Sequence, residues 1–255
     1  MKWEYMKWEY MKWEHMKWEH IRQMIKLFQI GLRQIATDGM LLVLLPAPCI
    51  IGLVFRFMLP YVNSVTMARL SISILPWYSL ADSLLVCLTP MMTAAICAFL
   101  LLEERDEGVS AFYQVTPVGD YAYLVARIGL PMLGAFVYTT IITMLFRLTD
   151  ISIVAVFSSS IVSTLAGIFL AMAIVSFAGN RVEGLALSKM MGISLLGLAA
   201  VWFVPHPYQY FASFLPAFWV GKLITEGAGI LPFGCGLLLC LVWIGLLTRK
   251  FMRRI

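Results

Sequence analysis

Six long apolar stretches, almost free of charge, constrain this chain more than any other feature. They cover residues 40–58, 84–102, 128–146, 151–178, 185–204 and 227–247. Each approaches or exceeds the roughly 20 residues that a helix needs to cross a bilayer. Only 13% of the 255 residues are charged, about half the fraction typical of a soluble domain. The sequence therefore predicts an all-α, polytopic membrane protein with six transmembrane helices, and it excludes a soluble enzyme, a disordered chain and a nucleic-acid-binding module.

Two further apolar segments, 71–80 and 208–220, are too short or too interrupted by proline to span a bilayer. We expect them to be interfacial or re-entrant. Only residues 147–150 separate the third and fourth stretches, which predicts a tight helical hairpin between them.

The distribution of lysine and arginine predicts the orientation. Six spans place both termini on one side of the membrane. With the termini in the cytosol, four of the 19 Lys and Arg residues fall outside, namely Arg56, Arg69, Arg147 and Lys222. The remaining fifteen lie on the cytosolic side, as the positive-inside rule requires. We therefore expect a multi-pass protein of the plasma (inner) membrane with cytosolic termini.

The first twenty residues are one pentapeptide in four copies: MKWEY, MKWEY, MKWEH and MKWEH. A period of five matches neither a helix nor a strand, so the segment builds no continuous apolar face. We interpret residues 1–20 as a tandem duplication outside the fold, with Met16 as a candidate ancestral start. The alternative is an interfacial segment whose tryptophans anchor at the lipid headgroups.

Residues 21–38 have the pattern of an amphipathic helix. Apolar residues recur at helical spacing at Ile21, Ile25, Phe28, Leu32 and Ile35. Basic residues occupy another face. We expect this helix to lie in the headgroup plane before the first span, or to pack against a soluble partner, and the two are compatible.

Motifs for catalysis and cofactor binding are missing. The sequence contains no GxxxxGK[ST], GxGxxG, HExxH or GxSxG pattern, and its five cysteines have no metal-ligand spacing. Asp38 and Asp82 stand at span ends, where we expect them to be solvated. We therefore expect a chain that is not an enzyme and holds no metal or cofactor.

The segment between the second and third stretches carries the densest charge outside the repeat and the C-terminus. Four acids in 103–107 surround Arg105, and Gly108 then breaks the helix. Ser110 is placed to cap a short helix over 111–115, which the turn at Thr116-Pro117 ends. The order predicts a span that extends beyond the bilayer, a short helix across its tip, and re-entry at 121–127.

This pattern resembles the permease subunits of ABC type-2 transporters, which carry an acidic E-x-x-x-G stretch, a short helix, a T-P turn and an aromatic entry to the third span. Glu104 to Gly108, Thr116-Pro117, Tyr121 and Tyr123 match that order. The amphipathic helix with Asp38, the polar turn 180–184 and the Pro-aromatic segment 214–219 also resemble family features. The turn TPVGD departs from the family, where a more basic or Ser-containing turn is common. The resemblance covers about residues 21–250.

The resemblance implies an elbow helix at 21–38, a single six-helix transmembrane domain at 39–250 and a cytosolic coupling loop at 103–120. Two protomers, alike or different, would line one path, and a separate ATPase would bind ATP and Mg²⁺. The implied coupling residues are Glu103, Glu104, Arg105, Gly108, Ser110, Phe112, Thr116 and Pro117. The acids would pair with basic residues of the ATPase or of the elbow helix. We expect substitutions at Glu104 and Gly108 to abolish ATP-driven transport without loss of folding.

The cargo implied is amphipathic or apolar, such as a drug, a peptide or a lipid-like molecule, and the direction is export. Hydroxyl side chains in the spans are candidates for lining the path, namely Thr89, Thr139, Thr143, Ser159 and Ser163. The alternative is that they make helix contacts, where small residues are favoured. The alternative functions are a secondary transporter working by alternating access, a membrane scaffold and a membrane-embedded enzyme.

Overall fold

The computed structural model describes residues 22, 24–109, 123–189 and 191–251. The pentapeptide repeat and the expected helix at 111–115 lie outside these ranges. The described residues form α-helices, two short 3₁₀ turns and no strand. The α-helices are α1 (24–37), α2 (Gly39–Leu44), α3 (Ala47–Leu70), α4 (Tyr78–Asp106), α5 (123–146), α6 (Ile153–Phe177), α7 (Arg181–Lys189), α8 (Met191–Phe203), α9 (Pro216–Thr225) and α10 (Ile230–Phe251).

Six candidate membrane spans confirm the predicted number. They are Gly39–Leu70, Leu75–Asp106, Val125–Phe146, Ile153–Phe177, Arg181–Phe203 and Ile230–Lys250. The first span is longer than the expected 40–58, because α3 continues past Arg56 to Leu70. The Arg56 guanidinium donates a hydrogen bond to the Arg147 carbonyl at 2.9 Å. Residues 75–80 of the segment expected to be interfacial or re-entrant belong to the second candidate span, and α4 begins at Tyr78.

Helices α4 and α6 form the centre of the bundle, whereas α3 and α10 leave most of their apolar surface exposed. Small residues allow the close packing of α4 on α6. A Cβ at Gly167 would lie 3.0 Å from the Pro90 carbonyl oxygen, and Ser163 Oγ donates to the Val86 carbonyl at 2.8 Å. Such contacts are typical of helices that associate in lipid, where no difference in hydrophobicity drives association.

Segment 208–220 has the geometry of a re-entrant element. Helix α9 has ten residues, about 15 Å, too few to span a bilayer. Gly197 of α8 lies against Phe218, and Trp202, nearer the end of α8, lies against Gly221. Helix α9 therefore runs in the same direction as α8, which requires the chain to dip into the bundle before it returns. This agrees with one of the two expectations for 208–220.

Helix α1 confirms the predicted amphipathic helix but turns a slightly different face to the bundle. Leu27 and Gly31 are buried, and Phe28 and Ile35 are half-buried. Ile25 and Leu32, expected on the apolar face, are 47% and 46% exposed. The apolar face of α1 is thus wider than the part that contacts the bundle, and its outer edge at Ile25 and Leu32 stays exposed.

Asp82 is buried rather than solvated, which corrects the expectation from sequence. Only 2% of its surface is exposed. Its carboxylate accepts hydrogen bonds from the backbone N–H of Leu148 and of Thr149, each at 2.9 Å, and from the Thr149 hydroxyl. Asp82 and Leu148 are 66 residues apart in the chain, so no local sequence pattern indicates that they are in contact. Asp82 fixes the tight hairpin between α5 and α6.

The substitution Asp82→Ala is expected to lower the free energy of unfolding by about 2–3 kcal/mol, because it leaves buried donors of the hairpin without an acceptor. Thermal unfolding in detergent measures this loss. Asp82→Asn keeps one acceptor oxygen, so a smaller loss is expected. Equal stability of wild type and Asp82→Ala would contradict the role of Asp82.

Candidate functional site

A buried ion pair joins the ends of α4 and α5. Glu104 and Arg127 form this pair, and each side chain is only 1% exposed. The Tyr123 hydroxyl donates to Glu104 Oε2 at 2.6 Å. Arg127 Nη1 donates to the Leu27 carbonyl of α1 at 3.0 Å. These groups, termed here the polar cluster, connect three helices through one guanidinium and one carboxylate.

Two local features of the backbone place Arg127 in the cluster. The start of α5 widens into a π-helical turn over Val125–Gly129, a feature that is frequent at functional sites. On the facing helix, Gly31 leaves the space that the guanidinium occupies, since a Cβ there would lie only 2.4 Å from Arg127 Nη1. A larger residue at position 31 would displace the arginine.

A second set of contacts surrounds Arg181 at the start of α7. Its guanidinium pairs with Asp38 and, at 3.0 Å, with Glu103. Its backbone N–H donates to Asp106 Oδ2 at 2.9 Å. Arg105 donates to the Val175 and Ala178 carbonyls at 3.2 and 3.0 Å. The charged end of α4 is thereby fixed to the end of α6 and the start of α7.

Asp38 is also held by specific partners rather than only solvated, contrary to the expectation from sequence. It caps α2 by accepting from the Met40 and Leu41 N–H groups, at 2.8 and 3.2 Å. The hydrogen bond from Arg181 holds the pKa of the Asp38 carboxyl below its ordinary value of 3.8. The elbow segment thus enters these contacts through the Leu27 carbonyl and Asp38, not through a basic side chain.

The expected coupling residues divide into two groups. Glu103, Glu104 and Arg105 belong to the contacts above. Gly108 follows the end of α4 at φ +72°, and its N–H donates to the Arg105 carbonyl at 3.1 Å. This confirms that Gly108 breaks the helix, because the left-handed conformation suits glycine. The other four, Ser110, Phe112, Thr116 and Pro117, lie outside the described residues.

Sequence reasoning missed Arg127 and Arg181 as members of the site. Both are counted among the cytosolic charges, and Arg181 also belongs to the polar turn 180–184, but the sequence assigns neither of them a partner. The one available signal was their position, since each stands at the edge of a long apolar stretch. Charged residues are common at such edges even when they contact only water and lipid headgroups, so the position alone does not indicate an ion pair. Their pairing with acids 23 and 78 residues away follows only from the tertiary structure.

The candidate path residues are all buried within one protomer, on α4, α5 and α6. Thr89, Thr139 and Ser159 donate to carbonyls of their own helices, and Ser163 donates across to α4. The hydroxyl of Thr143 has no partner among the described residues. Hydrogen bonds within a helix satisfy three of the five hydroxyls, one between helices satisfies Ser163, and a role in lining a path stays a prediction.

A cavity of about 240 Å³ lies beside the polar cluster. Helices α1, α4 and α5 form its walls, and Leu45, just before α3, closes one side. Apolar side chains such as Phe28, Ile96 and Pro131 provide most of the lining. Arg127 also lines the cavity, so the cluster and the cavity share one side chain.

The fold and the site together define a class. Six apolar spans, a re-entrant element and charged helix ends fixed by ion pairs define a polytopic helical membrane protein. A family model described as "Fluoroquinolones export permease protein Rv2686c-like" matches residues 31–248. The chain belongs to this family of export permeases, and the resemblance to ABC type-2 permease subunits is confirmed.

Two relatives are the fluoroquinolones export permease proteins Rv2686c and MT2760 of Mycobacterium tuberculosis, from strains ATCC 25618 / H37Rv and CDC 1551 / Oshkosh. Each is 24% identical to this chain over 223 residues, which cover 84% of this chain and 88% of the relative. No solved structure matches the chain.

Proposed function

We propose that the charged end of the bundle, where α4 ends and α5 begins, receives a separate ATPase that drives export by this permease. The observation that carries the proposal is the polar cluster. It joins the two helices that flank residues 110–122, the segment in which the coupling helix is expected, and it ties both to α1.

The cluster supports coupling because it makes the base of the loop rigid. A buried ion pair with additional hydrogen bonds resists separation of its partners. A displacement of residues 110–122 would therefore move α4 and α5 together rather than bend one of them. Because α4 also packs on α6 at the centre of the bundle, a tilt of this kind would reach the interior. Rigid displacement of packed helices is a common form of switching.

We place the protein in the plasma membrane, with the charged end of the bundle in the cytosol. Fifteen of the 19 Lys and Arg residues then lie on the cytosolic side, in agreement with the positive-inside rule. ATP is available in the cytosol, so the ATPase and the charged end would meet there. The remaining coupling residues, Ser110, Phe112, Thr116 and Pro117, belong to the same proposal.

The proposed cargo is an amphipathic or apolar compound, with fluoroquinolones as the first compounds to test because the two relatives are named for their export. An interior with few charged groups suits such compounds better than small ions. Two protomers, alike or different, would form the path, and ATP with Mg²⁺ would be held by the ATPase.

The test is reconstitution with a candidate ABC ATPase from the same organism. The two proteins are co-expressed, purified through a tag on the permease, and placed in proteoliposomes with the charged end outward. ATP is expected to drive accumulation of a fluoroquinolone, and the cargo is expected to stimulate ATP hydrolysis. An ATPase variant that binds ATP without hydrolysing it is the matched control. Accumulation driven by a proton gradient without ATP would refute the proposal and favour a secondary transporter.

A further inference from the structure

Three cations share one face of the elbow helix. Arg22 precedes α1, and Lys26 and Arg33 belong to it. Intervals of four and seven residues return a side chain to nearly the same side of a helix, and all three side chains are exposed. The buried Leu27 and Gly31 lie on the side that contacts the bundle. The three cations, termed here the basic face, therefore point away from the protein interior.

The basic face has no counter-charge in the part of the chain that the structure describes. None of its three side chains makes an ion pair there, and residues 21–37 contain no acid. Most acids at the charged end of the bundle are bound by other groups of the chain, namely Asp38, Glu103, Glu104, Asp106 and Glu183. An anion that neutralises the basic face therefore has to come from another molecule.

The surroundings of the basic face favour a phospholipid as the source of that anion. Ile25 and Leu32 each stand one residue before a cation of α1, and they are 47% and 46% exposed. The first candidate span begins at Gly39, just after α1, and its Leu42 and Val43 are 49% and 68% exposed. A soluble partner that neutralised the cations would have to cover this apolar edge as well. A phospholipid supplies a phosphate and acyl chains together.

We propose that the basic face binds the headgroup of an anionic phospholipid, whose acyl chains lie against Ile25 and Leu32. Clusters of basic residues beside a transmembrane helix recognise anionic headgroups, and each Lys or Arg adds about a fivefold preference. A zwitterionic lipid has no net charge to neutralise the cations, so the ligand is an acidic lipid such as phosphatidylglycerol. The inference goes beyond the proposed coupling to an ATPase and does not depend on it.

A lipid bound in this way stabilises the polar cluster. The Leu27 carbonyl accepts from Arg127 Nη1 at 3.0 Å, and Gly31 leaves the space that the guanidinium occupies. These contacts and the basic face lie on opposite sides of the same helix. A headgroup that fixes α1 at the membrane surface therefore also holds Leu27 against Arg127. Limited proteolysis of α1 is expected to be slower in phosphatidylglycerol than in phosphatidylcholine.

The test measures which lipid the full chain retains, without ATPase or nucleotide. The probe is phosphatidylglycerol, compared with phosphatidylcholine that has identical acyl chains, so that only the headgroup differs. The protein is purified in mixed micelles with equal amounts of the two lipids, and native mass spectrometry counts each lipid retained. The wild type is expected to prefer phosphatidylglycerol about twentyfold or more. The preference is expected to fall as salt rises, because the cations are exposed.

Three variants locate the site. Lys26→Gln/Arg33→Gln is expected to lower the preference about tenfold or more, and its helix is expected to stay intact because glutamine is a good helix former. The matched control, Arg69→Gln/Arg249→Gln, removes two exposed cations that have no ion pair among the described residues and lie outside α1. It is expected to keep the preference. Gln29→Lys adds a cation to the basic face and is expected to raise the preference about fivefold.

Each of four outcomes would overturn the proposal. Equal retention of the two lipids by the wild type would show that no anionic lipid is selected. Equal losses in the two double variants would show a general attraction of charge. Displacement of phosphatidylglycerol by soluble glycerol 3-phosphate would assign the basic face to free phosphate esters. An unchanged lipid preference of Lys26→Gln/Arg33→Gln, together with a loss of ATPase co-purification, would assign it to a protein partner. Equal thermal unfolding of all variants in phosphatidylcholine alone is the control for folding.

Discussion

Replacement of Arg127 by methionine is expected to lower the free energy of unfolding by about 3–5 kcal/mol. Methionine retains much of the apolar length of the side chain but leaves Glu104 as a buried carboxylate without a cation, and removal of one partner from a buried ion pair costs about this much. Arg127→Met also removes the hydrogen bond to Leu27, so α1 is expected to detach more easily. Thermal or denaturant unfolding in detergent measures the first effect, and limited proteolysis of α1 the second.

Two variants separate the buried charge from other causes. In Glu104→Gln/Arg127→Met both charges are gone and the glutamine still accepts from Tyr123, so most of the lost stability is expected to return. Arg56→Met removes another arginine that donates to a backbone carbonyl, but Arg56 is exposed, and a loss of about 1 kcal/mol or less is expected. If the double variant is as unstable as Arg127→Met, the unpaired Glu104 carboxylate is not the cause.

Gly108→Val is expected to reduce ATP-driven transport at least tenfold while the protein remains folded. Gly108 has φ +72°, which valine adopts only with a strain of about 1–2 kcal/mol. The backbone is expected to relax to a negative φ and so to change the direction in which the chain leaves α4 toward residues 110–122. A coupling segment aimed differently would no longer dock on the ATPase. Transport, ATP hydrolysis and co-purification of the ATPase are measured together.

The matched control for this substitution is Gly227→Val. Gly227 has φ +85°, and, as at Gly108, a Cβ there would meet no atom within 4 Å. The two variants therefore carry similar strain at opposite ends of the bundle. Gly227→Val is expected to lose the same stability and to keep its transport activity. Equal transport by both variants would contradict a coupling role for Gly108.

The burial of Glu104 changes how its coupling role is tested. A substitution at Glu104 disturbs a buried pair, so a loss of transport there reflects folding as well as coupling. A substitution at Gly108 tests coupling more directly than one at Glu104, because a Cβ at Gly108 would meet no atom within 4 Å. Glu104→Gln keeps the acceptor for Tyr123 and is the mildest change at that position.

The number of spans, the helix break at Gly108 and the amphipathic α1 could be predicted because each depends on near neighbours in the chain. Apolar length decides whether a helix crosses lipid, and a residue that tolerates positive φ decides where α4 ends. The beginnings of the spans were less predictable. Helix α4 starts at Tyr78 and includes Asp82. The sequence predicts a solvated span end at Asp82, because no local pattern reveals that the backbone N–H groups of a distant hairpin bind it.

The sequence by itself determined that this protein is a six-span helical membrane protein and that residues 103–108 are a charged exit from the second span. Hydrophobicity, charge and turn chemistry are local properties, and lipid leaves a long apolar segment little choice but the helix. Only the tertiary structure decided that Glu104 is buried against Arg127, that Arg181 joins Asp38 to Glu103, and that a cavity lies beside this cluster. These pairings join helices distant in the chain, so no local spacing indicates them, and for Glu104 and Arg127 desolvation makes each partner necessary to the other.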